Sequence, residues 1–279
     1  MNIINNSDKA QKNLLTISET IAKARKIVIK IGSNTLAKED GTINIEFMEN
    51  FAKQCSTFID NRKQVVIVSS GAQVAGISTI DRWARKKDLH YRQALCAIGQ
   101  VELMDCWRSC FRKFNLHVGQ LLLSKDDFGD QHRTLNIRNT LFTLVDEGVI
   151  PIINENDSVA CDEFSIGDND NLSALTSILW SADLLILCSD IDGVYSKNPK
   201  EYKDAKLIEN ITDVEKTKKS ISIGKANNFG TGGITTKLEA AEKVLEYDVS
   251  MILTNGAKPN LLQNLANGTI KATLFSPAQ

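Results

Sequence analysis

Long apolar runs are missing from this 279-residue sequence: none approaches the roughly 18 residues of a membrane-crossing helix, and the polar N-terminus has no apolar secretory segment. Charge of one sign is missing too. Thirty-three Lys and Arg stand against 34 Asp and Glu, a formal net charge of -1, so no whole-chain field draws in nucleic acid or an anionic membrane and any anion site must be local. The six cysteines, at positions 55, 96, 106, 110, 161 and 188, include no CxxC pair, and Cys96, Cys106 and Cys110 fall in one helical pattern where free thiols behave as small apolar residues. These absences predict a soluble protein of the reduced cytoplasm. Histidine is scarce, and His90, His117 and His132 lack zinc-ligand spacing, which leaves them structural or on the surface and argues against a zinc hydrolase. The familiar nucleotide fingerprints are absent as well. Residues 71–76 have the glycine spacing of a P-loop, but Ile77-Ser78 follows where Lys-Ser or Lys-Thr is required, and no GxGxxG follows a strand pattern.

What is present is apolar material for a substantial core, 42% of residues, in a length that suits one large α/β domain or two small ones. β-Rich runs recur at residues 27–31, 65–68, 118–123, 149–153, 184–188 and 251–253, with helical patterns in most of the gaps, which predicts an α/β fold. Runs this continuously apolar are buried on both faces. That implies a mainly parallel sheet between helix layers, with ligands beyond the strands' carboxyl ends. After those ends the chain turns polar or glycine-rich, at Gly32-Ser33-Asn34, Ser69-Ser70-Gly71-Ala72, Ser124-Lys125-Asp126, Asn154 to Asp157, Ser189-Asp190 and Thr254-Asn255-Gly256, as one continuous rim. Residues 1–25 read as an amphipathic helical extension ahead of the first strand.

Two polar clusters dominate the rim, Asn154-Glu155-Asn156-Asp157 directly after a strand and Gly167-Asp168-Asn169-Asp170-Asn171 opening a helical run. Either alone reads as turn chemistry. Together they place many short carboxylates and amides in one crevice, which suits a small zwitterion. A calcium loop is excluded, because Leu172 and Ser173 stand where Asp or Asn and then Gly are needed. Gly230-Thr231-Gly232-Gly233 precedes an apolar helical face of Ile234, Leu238, Ala241 and Leu245, so the glycines stand at a helix N-terminus, a place to hold phosphate. Thr235, Thr236 and Lys237 add hydroxyls and a mobile charge, and an ordinary glycine-rich turn is the alternative. Lys30, near the end of the first strand, occupies a costly position for an ammonium unless an anion meets it; a snorkelling surface lysine is its alternative.

In their order across residues 26–276, the motifs Lys30-Ile31-Gly32-Ser33, Val68-Ser69-Ser70-Gly71-Ala72, Pro151 to Asp157, Gly167 to Ala174, and Gly230 to Gly233 with Lys237 resemble the glutamate 5-kinases of the amino acid kinase family. The resemblance implies a three-layer α/β/α sandwich with a mainly parallel central sheet over residues 26–279, glutamate over its N-terminal half and ATP over its C-terminal half. It implies that Lys30 and Lys237 neutralise the transferring phosphoryl group, that Asp170 holds both lysines, and that Ser70, Asp157 and Asn169 contact glutamate. Ser189, Asp190, Thr231, Gly232, Gly233, Ile234, Thr235 and Thr236, together with both lysines, would bind ATP, with Mg²⁺ carried on its phosphates. The implied reaction is phosphorylation of the γ-carboxylate of L-glutamate, the first step towards proline. Proline is the expected feedback inhibitor, and a loop at residues 125–139 is expected to form or cover its pocket. A homo-oligomer, dimer or tetramer, and functional coupling to glutamyl phosphate reductase are implied as well. The carboxylate acceptor is already ionised at neutral pH, which accounts for a site without histidine.

The sequence also departs from the family pattern. The protein is expected to lack the PUA domain that many relatives carry after the kinase; Ser33 replaces a frequent Thr, and Ser165 stands where some relatives carry Lys. Kinases of N-acetylglutamate, aspartate, carbamate or a nucleoside monophosphate would share the lysine and glycine elements, and the two polar clusters separate them from this chain. A non-catalytic amino-acid sensor is the rival of another class, opposed by the intact Lys30, Asp170 and Lys237.

Overall fold

The computed structural model describes residues 15–80, 88–159, 169–221 and 233–277. Its strands are β1 (Lys26–Ile31), β2 (Gln64–Ser69), β3 (His117–Leu123), β4 (Val149–Glu155), β5 (Leu184–Ser189), β6 (Val194–Tyr195), β7 (Leu207–Ile208), β8 (Asn210–Ile211), β9 (Ser250–Asn255) and β10 (Ala272–Phe275). Eight of them form one sheet in the order β3-β4-β2-β1-β5-β9-β10-β8, while β6 and β7 pair as a small antiparallel ribbon. From β3 to β9 every neighbour is parallel; β10 runs antiparallel to β9.

Alternation along each strand divides the core into two layers. Ile27, Ile29 and Ile31 of β1 join the layer built with Phe51 of helix Ile45–Asp60 and Leu103, Trp107 and Phe111 of helix Leu89–Arg112. Val28 joins the opposite layer, with Leu141 of helix Gln131–Asp146, Leu172 and Trp180 of helix Asn169–Trp180, and Leu238 and Val244 of helix Ile234–Leu245. The same period sends the Lys30 side chain toward this second layer, where an ammonium finds a carboxylate rather than hydrocarbon.

All six expected strands are present, each extended by one to three residues. The expected loop at residues 125–139 is instead helical. Helix Lys125–Gly129 carries a capping box from Ser124 to Asp127, and helix Gln131–Asp146 starts on the Asp130 side chain, which accepts from the Arg133 N–H. The described part of the N-terminal extension is a docked helix, Ile17–Lys23, with Ile21 in the core. Lys63 closes its C-terminus by donating to the carbonyls of Ile21 at 2.6 Å and Ala24 at 2.8 Å. Residues 1–14 lie outside the described residues. His90, His117 and His132 are exposed, and no helix among the described residues is long and apolar enough to cross a membrane.

Helix Ala72–Ile80, which follows the loop at Ser70, touches helix Leu89–Arg112 backbone to backbone. A Cβ on Gly99 would lie 1.8 Å from the Ala72 carbonyl oxygen, and one on Gly76 2.0 Å from that of Leu95. No side-chain rotation relieves such a contact. Gly99→Ala is expected to cost about 2–3 kcal/mol and to lower the melting temperature by about 5–10 °C. Calorimetry showing an unchanged melt would refute this packing.

Candidate active site

β1 lies between β2, which follows it, and β5, to which the chain returns after β4, so the strand order reverses direction at β1. A crevice opens outside the carboxyl ends of parallel strands at such a point. Lys30 stands in register with Val68 of β2 and Leu187 of β5, just below that crevice.

Asp170, in the first turn of helix Asn169–Trp180, is fully buried and receives both lysines. Lys30 Nζ is 2.7 Å from Oδ1 and Lys237 Nζ 3.1 Å from Oδ2. The Thr236 hydroxyl donates to Oδ2 at 2.9 Å, and the Ser173 hydroxyl donates to the Asp170 main-chain carbonyl at 2.6 Å. Burial by itself would raise the Asp170 carboxyl; the two ammonium charges and their hydrogen bonds overturn that and hold it below the ordinary carboxylate value. The helix N-terminus favours the same anion. Lys30 and Lys237 are themselves only 7% and 5% exposed, so the snorkelling alternative for Lys30 does not hold.

The residue before Asp170 belongs to a different network. Asn169 Nδ2 donates to Ser70 Oγ at 2.7 Å and to Asn154 Oδ1 at 3.0 Å, and Asn154 Nδ2 donates to Gln100 Oε1 at 2.8 Å. The loop bearing Ser70 is braced from below, where Trp107 Nε1 donates to Ser69 Oγ at 3.0 Å and Ser69 Oγ donates to the Ser70 carbonyl at 3.0 Å. Gln100 and Trp107 escape a motif-based reading. Their signal is weak but present: Gln100 is a polar residue on the face of helix Leu89–Arg112 that otherwise buries Leu95, Cys96, Leu103 and Trp107.

Asp157 stands apart from this relay, against Cys96 and Arg92 of the same helix. Burial pushes its carboxyl up, opposed by a hydrogen bond with the Cys96 thiol and by the Arg92 charge. With Cys96 and Gln100 it lines one end of a cavity of about 700 Å³ that runs toward Leu122 of β3. Val118, Gln120 and Leu122 line this cavity, while Leu121 and Leu123 face the layer containing Leu141 of helix Gln131–Asp146.

On the other side of β1, Ser189 ends β5 and donates to Asp190 Oδ1 at 3.0 Å, beside Asn255 of β9. Helix Ile234–Leu245 starts at Gly233 with no side-chain cap, which leaves its first N–H groups available to an anion. Ile234 packs on the core and Thr235 is exposed at the rim. Thr236 is turned inward to Asp170 and the Gly233 carbonyl. Thr231 and Gly232 lie outside the described residues.

Comparison with known proteins agrees with this geometry. The model of the amino acid kinase family matches residues 25–255. The glutamate 5-kinase of Alkaliphilus metalliredigens (strain QYMF) is 60% identical over 93% of this chain and 98% of its own length. The glutamate 5-kinase of Alkaliphilus oremlandii (strain OhILAs) is 55% identical over the same shares. Among solved structures, UMP kinase from Ureaplasma parvum aligns with a TM-score of 0.63 over 90% of this chain and 98% of that one, at 17% identity, a likeness of fold alone. By these sequence matches the chain belongs to the amino acid kinase family, among the glutamate 5-kinases.

Proposed function

We propose that the protein transfers the γ-phosphoryl group of ATP to the γ-carboxylate of L-glutamate, giving ADP and L-glutamyl 5-phosphate. One observation carries this reading: adjacent residues of one helix turn, Asn169 and Asp170, belong to an amide network and to a lysine-bridged anion respectively. An acceptor held by the first therefore lies next to a phosphoryl group met by the second. The names of the similar kinases support the same acceptor.

In the proposed step a γ-carboxylate oxygen of glutamate forms a bond to the γ-phosphorus while the bond to the bridging oxygen of ADP breaks. No proton moves, because the acceptor is already ionised. Lys30 and Lys237 stabilise charge on the transferring group, and Asp170 keeps them in place. Ser189, Asp190 and the start of helix Ile234–Leu245 lie on the nucleotide side; Ser70, Asn154, Asn169 and Asp157 lie on the amino-acid side. Mg²⁺ would enter on the ATP phosphates, where it would supply charge neutralisation. Asp157 would receive the free α-ammonium. Proline, also an amino acid, would compete for that pocket, and the labile acyl phosphate would suit direct use by a glutamyl phosphate reductase. An oligomer working in the cytoplasm belongs to the same reading.

The assay that tests it traps the acyl phosphate with hydroxylamine as a coloured hydroxamate. L-Glutamate is expected to give strong colour, L-aspartate much less and N-acetylglutamate almost none, with millimolar proline raising the KM for glutamate. A preference for N-acetylglutamate would overturn the acceptor.

Lys30→Ala and Lys237→Ala are each expected to lower kcat by more than about tenfold, roughly 1.4 kcal/mol of transition-state stabilisation, with smaller effects on glutamate binding. Near-normal turnover in both would remove the phosphoryl assignment.

The pH dependence follows from Asp157. Its raised pKa means that it gains a proton at a higher pH than an ordinary carboxylate, so kcat/KM for glutamate should fall on the acid side above the usual carboxylate range. Asp170, shifted the other way, stays ionised through that limb. Asp157→Asn is expected to abolish the limb and to lower kcat/KM at neutral pH; a limb that persists in the variant would assign it elsewhere.

A further inference from the structure

One main-chain N–H fixes the direction of the amide relay. A main-chain N–H can only donate, and Glu155 N donates to the Asn154 side chain at 2.9 Å, so Asn154 must present Oδ1 there. Its Nδ2 therefore faces Gln100, which must answer with Oε1, at 2.8 Å. Asn169 in turn must present Nδ2 to Asn154 Oδ1, and the same nitrogen reaches Ser70 Oγ. Two consequences follow for the groups around the relay. Asn169 Oδ1 is left as a buried acceptor with no partner among the described residues, and the Ser70 hydroxyl, already accepting from Asn169, keeps its proton for another group. An acceptor beside a donor complements an amino acid, which brings an ammonium and carboxylates.

Gln100 completes this arrangement at a cost. It is 8% exposed, and with Oε1 committed to Asn154 its Nε2 is buried with no partner among the described residues. An unpaired buried N–H of this kind is destabilising, and a purely apolar residue would avoid it. We propose that Gln100 is a positioning residue for the amino-acid acceptor: its Oε1 fixes the Asn154 carboxamide and, through Asn154, the acceptor and donor that Asn169 and Ser70 offer. It touches neither substrate. The inference rests on the glutamate reading above.

The test compares wild type, Gln100→Met and Gln100→Glu by hydroxamate kinetics and thermal melting. Met keeps the length and removes the acceptor; Glu, ionised or protonated, keeps an oxygen for Asn154 Nδ2 and loses the NH₂. Gln100→Met is expected to raise the KM for glutamate by about tenfold while kcat changes by less than about threefold and the KM for ATP stays put. Gln100→Glu should fall between wild type and Met. A KM for glutamate within about twofold in Gln100→Met overturns the role. So does a Glu variant worse than Met, the order expected if Nε2 met a substrate carboxylate directly. Parallel rises in both KM values with a lowered melt would make Gln100 merely structural. If Gln100→Met does not fold, Gln100→Glu decides alone: a KM for glutamate within about threefold of wild type supports positioning and a rise beyond about tenfold refutes it. Wild-type protein that gives no hydroxamate from glutamate overturns the acceptor reading and this inference with it, whereas an active wild type with an unaffected Met variant overturns only the role of Gln100.

Discussion

One buried carboxylate gathers the two halves of the fold's polar centre. Asp170 spends one oxygen on Lys30, from the central strand, and the other on Lys237, from a helix 67 residues later in the chain. Without it, the buried ammonium groups of Lys30 and Lys237 would lose the carboxylate charge that both of them meet. Burial opposes the Asp170 charge, the lysines restore it, and neither side of that balance is stable alone. The trio is therefore weak evidence for fold stability and strong evidence for a site: apolar residues of similar volume would hold the layers together at least as well.

The apolar layers do that work. Strands buried on both faces carry the sheet, and aromatic contacts such as Phe51 with Trp107, whose ring centroids are 6.0 Å apart, knit the helices above it to each other. Rigid packing then reaches the site through short links. Trp107 belongs to the core and yet its indole N–H braces Ser69, next to Ser70, so the loop that offers the Ser70 hydroxyl inherits the rigidity of the layer below. The glycine contact at Gly76 and Gly99 acts alike, because it clamps the helix that starts just after that loop.

The central sheet was legible in the sequence because fully buried parallel strands are continuous apolar runs, and a run such as Ile27-Val28-Ile29 admits few other readings. β10 and β8 were not anticipated: they are short, lie at the sheet's end, and lack that continuity. Residues 125–139 look like a loop because they carry charges and a glycine, yet those charges cap helices, with Asp127 and Asp130 accepting main-chain N–H groups. Lys30 stands out as a charge in an apolar strand, whereas Asp170 is one of several polar residues in its cluster and its role is implied only by the family resemblance. Gln100 does not stand out, since a single glutamine on a helix is unremarkable until the neighbouring side chains show that it is buried.

In the proposed reading Lys30, Asp170 and Lys237 meet the phosphoryl group, and the acceptor is chosen by residues outside that trio. A solved UMP kinase has this fold, so the sheet and helix layers cannot make the choice. In the proposed reading the choice belongs to Asp157 and the amide relay, and the two contribute differently. The relay is neutral, so it sets geometry: its direction is fixed by one main-chain N–H and passes from Gln100 to Ser70 without any formal charge. Asp157 sets charge. Its burial has a desolvation cost that a cation in contact would offset and a neutral amide would not. A free α-ammonium is such a cation and an acetylated nitrogen is not, so the same desolvation that raises the Asp157 pKa would discriminate between them.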